Sequence, residues 1–121
     1  MNTGVAIHHV QVAVPAGGEA AARSFYGVLL GLAEVAKPPG LVGGGGVWFD
    51  TGSVPLHLGV DPDFRPSRKG HVAFQVTDLE RIRERVRAAG HPVNDDEALP
   101  GYRRFYTDDP FGNRVELPEP E

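Results

Sequence analysis

One six-residue pattern occurs twice in this chain and constrains the fold more than any other feature. His9-Val10-Gln11-Val12-Ala13-Val14 and His71-Val72-Ala73-Phe74-Gln75-Val76 both read His-Val-x-apolar-x-Val. Such alternation marks a half-buried strand, and each copy is followed by a helical stretch. After the first copy, Ala21, Phe25, Val28, Leu29 and Leu32 fall roughly at helical spacing, predicting a helix over Glu19 to Leu30 capped by Gly31. After the second, Thr77-Asp78-Leu79-Glu80 reads as a capping box. It opens a helix that carries Leu79, Ile82, Val86 and Ala89 on its apolar face and ends at Gly90. More strands follow in each half: Val47 to Asp50 and Val54 to Val60, then Arg104 to Thr107 and Arg114 to Leu117. The last two flank the turn Asp109-Pro110-Phe111-Gly112-Asn113. The expected organisation is one domain, 1–121, made of two strand–helix–strands copies at about 5–60 and 70–118 with a linker at 61–69. Residues 93–101 read as an acidic, proline-containing loop.

Composition narrows the class. The chain has 121 residues, a net charge of −4 and no cysteine. It is therefore free of disulfides and thiolate metal sites, and its charge balance favours neither nucleic acid nor an anionic membrane. No apolar run approaches the roughly 20 residues of a membrane span, and no basic-then-apolar leader opens the chain. A cytoplasmic protein acting on a small molecule is the expectation.

The chemistry lies in the strand faces that remain once the apolar ones are assigned to the helices. Side chains alternate across a strand. With Val10, Val12 and Val14 on one face, His9, Gln11 and Ala13 share the other. The same sorting sets His57 opposite Leu56 and Leu58, His71 opposite Val72, and Arg114 with Glu116 opposite Val115 and Leu117. His9, His57, His71 and Glu116 thus form a candidate set of three imidazoles and a carboxylate. It suits a divalent Fe, Zn, Ni, Mn or Co ion with positions left for substrate. Each residue alone is ordinary; their matched placement in two repeats carries the reading. His8 is expected on the opposite face from His9, and His91 at the C-terminal end of the second helix. Gln11 and Trp48 are candidate lining residues. Tyr102, Arg103, Arg104 and Tyr106, together with Arg65, Arg68 and Lys69, are candidates for holding an anionic substrate.

The chain resembles the vicinal oxygen chelate superfamily of glyoxalase I, fosfomycin-resistance proteins, extradiol dioxygenases and bleomycin-resistance proteins. The resemblance runs from Ile7 to Leu117. Its carriers are His9-Val10 with Val14, Ala22-Arg23-Ser24-Phe25-Tyr26 with Leu29-Leu30-Gly31-Leu32, Gly70-His71-Val72-Ala73-Phe74, and Asp109-Pro110-Phe111-Gly112-Asn113-Arg114-Val115-Glu116. It implies an α+β fold of two βαβββ modules around a metal-centred cleft, often in a homodimer. It also implies metal ligands at His9, His71 and Glu116, with Glu116 as ligand, base or both. His57 stands at a slot that varies between subfamilies and is a glutamate in glyoxalase I, which argues against ordinary glyoxalase I activity. The implied activity is that of a metal-dependent lyase, isomerase, transferase or dioxygenase on a small oxygen-rich metabolite. The alternative is a metal-free sequestering protein of the bleomycin-resistance type, and the retained ligand set favours the enzyme.

Overall fold

The structure, a computed structural model, describes residues 2–121 and separates into two units that meet in sequence between Phe64 and Arg65. In the first, β1 (Val10–Val14) leads into α1 (Glu19–Ala22), followed by β2 (Ala33–Val35), β3 (Val47–Asp50) and β4 (Leu56–Val60). In the second, β5 (Val72–Ala73) precedes α2 (Leu79–Ala88), β6 (Asn94–Asp95), β7 (Tyr102–Asp108) and β8 (Arg114–Pro120). The sheets have the same plan, β1-β4-β3-β2 and β5-β8-β7-β6. In each, the opening strand lies parallel to the last strand of its unit and the others are antiparallel. The internal repeat is therefore structural: each unit is a βαβββ module, and together they define an α+β fold.

Alternation decides what each sheet buries. In the first unit Val14, Val47, Phe49, Leu56 and Leu58 pack with Ala22, Phe25 and Tyr26, all at most 2% exposed. Covering each large side chain contributes about 2 kcal/mol. In the second unit Phe105, Val115 and Leu117 pack with Leu79 and Val86 of α2. The first helix departs from expectation: after Ala22 it widens into π-type turns over Arg23–Leu29, with Leu30 N–H donating to Phe25 O at 2.9 Å. The wider turn carries the consecutive Phe25 and Tyr26 into the core together, their rings edge to face at 4.9 Å.

Other differences are local. Asp78, and not Thr77, caps α2, because the Asp78 carboxylate accepts from Arg81 N–H at 3.2 Å. The strand expected from His71 to Val76 is regular only at Val72–Ala73, although Phe74 and Val76 N–H still donate to Glu116 O and Pro118 O. Two exposed strands, β2 and β6, lie outside the expected set because three and two residues are too short to show a pattern. A 3-10 turn occupies Pro39–Gly44.

The turn between β7 and β8 sets the site. Asp109 Oδ1 accepts from the N–H groups of Phe111 and Asn113, and Oδ2 from Asn113 Nδ2, each at 2.9 Å. Asn113 Oδ1 in turn accepts from Ser67 N–H at 2.8 Å, and Ser67 O from Arg114 N–H at 2.8 Å. Gly112 turns the chain at φ 90°. Arg68, expected as a substrate contact, instead ties this latch, reaching Asp108 Oδ1 at 2.6 Å and Gly112 O at 2.8 Å. The motif thereby fixes the phase of β8 and the path of the residues leading to His71.

Two substitutions probe the latch and the strand before it in one denaturation series. Asp109→Ala strands several buried donors and is expected to cost about 2–4 kcal/mol. Thr107→Val removes a buried hydroxyl that meets no partner among the described residues. It is expected to stabilise by about 1 kcal/mol, read as a raised urea midpoint with unchanged slope. A loss in the valine variant would mean that the hydroxyl is satisfied.

Candidate functional site

In the first unit three rings form a column. Trp48 and His57 are register partners on β3 and β4, and their rings stack at 3.7 Å with 3° between planes. His57 stacks in turn on His9 at 4.4 Å and 23°. The Gln11 side chain lies on the same face, where a Cβ at Gly59 would strike it. His9 sits just before β1, and there the alternation expected of His8 and His9 fails. His8 does not turn away: its Nδ1 lies 2.9 Å from His9 Nδ1, so one ring donates and the other accepts. Burial lowers the pKa of His57 below the ordinary 6.5, and the neighbouring His9 and His8 add to the effect. A neutral imidazole is the form that ligates a metal.

In the second unit the site is built around a buried carboxylate. Glu116, 6% exposed, projects from β8 opposite Tyr106 of β7 and beside Ala73 of β5. Its Oε1 meets His71 Nε2 at 2.9 Å and its Oε2 accepts from Arg104 at 3.2 Å. Burial by itself would raise the Glu116 pKa, but the hydrogen bonds from His71 and Arg104 and the Arg104 charge hold it below the ordinary 4.5. Tyr106 moves the other way: burial and the Glu116 charge push its hydroxyl pKa up, against the opposing pull of Arg104 and Arg114.

His71 has an unusual hydrogen-bond count. Its Nδ1 lies 2.9 Å from Lys69 O, which only accepts, so Nδ1 carries a proton. Its Nε2 faces a carboxylate held in the charged form. A neutral ring has one N–H. With that N–H given to Lys69 O, Nε2 turns its lone pair toward Glu116, the form in which an imidazole can ligate a metal. A backbone carbonyl fixing the far nitrogen is also how ligating histidines are oriented.

The four candidate ligands thus fall into two pairs, His9 with His57 in the first unit and His71 with Glu116 in the second. Among the described residues, no group of three or more histidine, aspartate or glutamate side chains is gathered as a metal site. Arg104 and Tyr106 stand beside Glu116, whereas Arg103 leaves the opposite face of β7 to pair with Glu119, which also receives Leu79 N–H of α2. Period-two alternation separates Arg103 from Arg104, a signal that treating the four residues after Gly101 as one cluster passes over. Sequence reasoning also missed Arg114, whose guanidinium lies 3.8 Å from the Tyr106 ring centroid.

The model of the Glyoxalase/Bleomycin resistance protein/Dioxygenase superfamily matches residues 6–117, and the chain belongs to that superfamily. A glyoxalase family protein from Bacillus anthracis is 42% identical, covers 100% of this chain and 99% of its own, and superposes with a TM-score of 0.92. Lactoylglutathione lyase from Agrobacterium tumefaciens is 26% identical over 98% of this chain and 95% of its own, with a TM-score of 0.68. A mutant of the fosfomycin resistance protein FosX from Listeria monocytogenes, complexed with Mn(II) and 1S,2S-dihydroxypropylphosphonic acid, shares the fold. It has 18% identity, 100% and 95% coverage and a TM-score of 0.77. No curated protein matches. No helix among the described residues is long and apolar enough to cross a membrane.

The two shifted groups make the same pH prediction. The folded chain holds His57 neutral, so stability is full above the ordinary 6.5 and declines as pH falls from there towards the folded value. It holds Glu116 charged, so that contribution is present above 4.5 and is lost as pH falls through the folded value. Trp48, the single tryptophan, reports the first step, because a protonated imidazole quenches a stacked indole. Its emission is expected to fall with a midpoint below 6.5, and the transition is expected to vanish in His57→Gln.

Proposed function

We propose that this protein is a glyoxalase-like metalloenzyme that binds a small oxygen-rich metabolite through two neighbouring oxygens on a divalent metal. His9, His57, His71 and Glu116 are the candidate donors. The observation that carries the reading is the His71–Glu116 contact, where Lys69 O holds one imidazole nitrogen and leaves Nε2 facing the carboxylate. Imidazole with carboxylate suits Mn, Fe, Co, Ni or Zn. Membership of the superfamily and a fold shared with the Mn(II) complex of FosX support the same choice.

When bound, the metal supplies Lewis acidity for charge that develops on a substrate oxygen. The chain's own residues do the rest. Lys69 O orients His71, and Arg104 keeps Glu116 charged and able to accept a proton at Oε2. The buried Tyr106 hydroxyl stays protonated and is a donor beside Glu116. Trp48 holds the His57 plane. One observation favours a second reading, metal-free sequestration of a small molecule: Arg104 already answers the Glu116 charge without a metal.

Metal content separates the two. Tag-free protein supplemented with Mn, Fe, Co, Ni and Zn is expected to retain one ion per site. His71→Ala and Glu116→Ala are each expected to weaken that binding by more than about 100-fold, beyond the loss typical of a supporting residue. His91→Ala, just past α2, is expected to bind as the parent does. Protein that binds none of these ions would leave sequestration as the function.

A further inference from the structure

Arg114 begins β8 two residues before Glu116, so both side chains leave the same face of the strand. Its guanidinium stacks 3.8 Å from the centroid of Tyr106, a 7% exposed ring locked opposite Glu116. A stack of this kind holds the plane of the fork while leaving its N–H edge available. Among the described residues no acceptor meets that edge, although Arg114 is half-buried. The adjacent carboxylates are engaged elsewhere. Asp108, its register partner, is bound by Arg68 at 2.6 Å. Glu116 is bound by His71 at 2.9 Å and Arg104 at 3.2 Å.

A partly desolvated guanidinium with five donors and no anion is an open receptor, since it has lost water without gaining a partner. Its planar fork matches two oxygens of a carboxylate or of a phosphate-like group. The i,i+2 spacing along the strand sets the fork about 6–7 Å from the Glu116 position, room for a molecule of a few heavy atoms. We infer that Arg114, held flat by Tyr106, anchors the terminal oxyanion of a small substrate, a carboxylate or a phospho group, whose other oxygens face Glu116. The placement of those other oxygens rests on the metal-chelating reading; the anion site does not. Arg114 is the specificity residue that makes the substrate an acid.

The test is calorimetric titration of the full chain, with and without Mn(II), using glycolate, methylphosphonate and the uncharged glycolamide. Both anions are expected to bind and glycolamide is not, and the preferred anion names the class of acid. Arg114→Gln is expected to weaken the anions by about 10- to 100-fold, the loss of a charged bidentate pair. Mn(II) affinity, read by electron paramagnetic resonance, is expected to stay unchanged in that variant. Anion binding that depends on Arg114 in protein that takes up none of Mn, Fe, Co, Ni and Zn would end the metalloenzyme reading and keep the anion site. Equal anion affinity in parent and variant, or no anion binding at all, would overturn the inference. Phenylglyoxal labelling gives the same answer in the unmutated chain should the variant fail to fold. Methylphosphonate is expected to slow modification of Arg114, with glycolamide without effect, and equal rates would again overturn it.

Discussion

A carboxylate buried in a central strand has to be answered by positive charge, and the second unit is arranged around that requirement. Glu116 has given up nearly all its water, a cost that an isolated ion does not recover. His71 and Arg104 supply the answer from opposite sides, one for each carboxylate oxygen. Each is itself placed by something else. His71 is turned by Lys69 O, and Arg104 is steadied where its Nε donates to Glu97 O at 3.1 Å. The strand that carries Glu116 is held in phase by the Asp109–Asn113 latch and by Ser67. A turn sequence just ahead of β8 thereby decides which way the carboxylate points.

The first unit solves a different problem with the same topology. Its face carries stacked rings in place of a carboxylate, and the Trp48–His57–His9 column is held by stacking and the β3–β4 register. Burial, with two other imidazoles nearby, lowers the His57 pKa below the ordinary 6.5. The modules thus differ in what they present: imidazole nitrogens from one, and a carboxylate with its imidazole from the other.

Much of this is legible in the amino-acid sequence, because strand alternation is strict. Period two alone sorts His57, His71 and Glu116 from Leu56, Leu58, Val72, Val115 and Leu117, and Asp109, Gly112 and Asn113 mark the turn. The repeat is readable from His9 and His71. What escapes has identifiable causes. His8 and His9 precede β1, so alternation does not govern them. The strands β2 and β6 are exposed and too short for alternation to register. Arg68 finds its partner Asp108 forty positions away, which no local pattern encodes. Arg114 shares the face of Glu116 by simple alternation, yet its significance lies in the Tyr106 ring beneath it and in carboxylates already taken by others.

On the metalloenzyme proposal the place where His71 Nε2 faces Glu116 Oε1 is where a divalent ion would be held. Anomalous diffraction from crystals of the Mn(II)-loaded protein addresses that position itself. The expected result is an anomalous peak bonded to both His71 Nε2 and a Glu116 oxygen, with the direct contact between them broken and the Lys69 contact to Nδ1 retained. A peak that leaves His71 and Glu116 hydrogen-bonded to each other, or no peak at full Mn(II) loading, would contradict it.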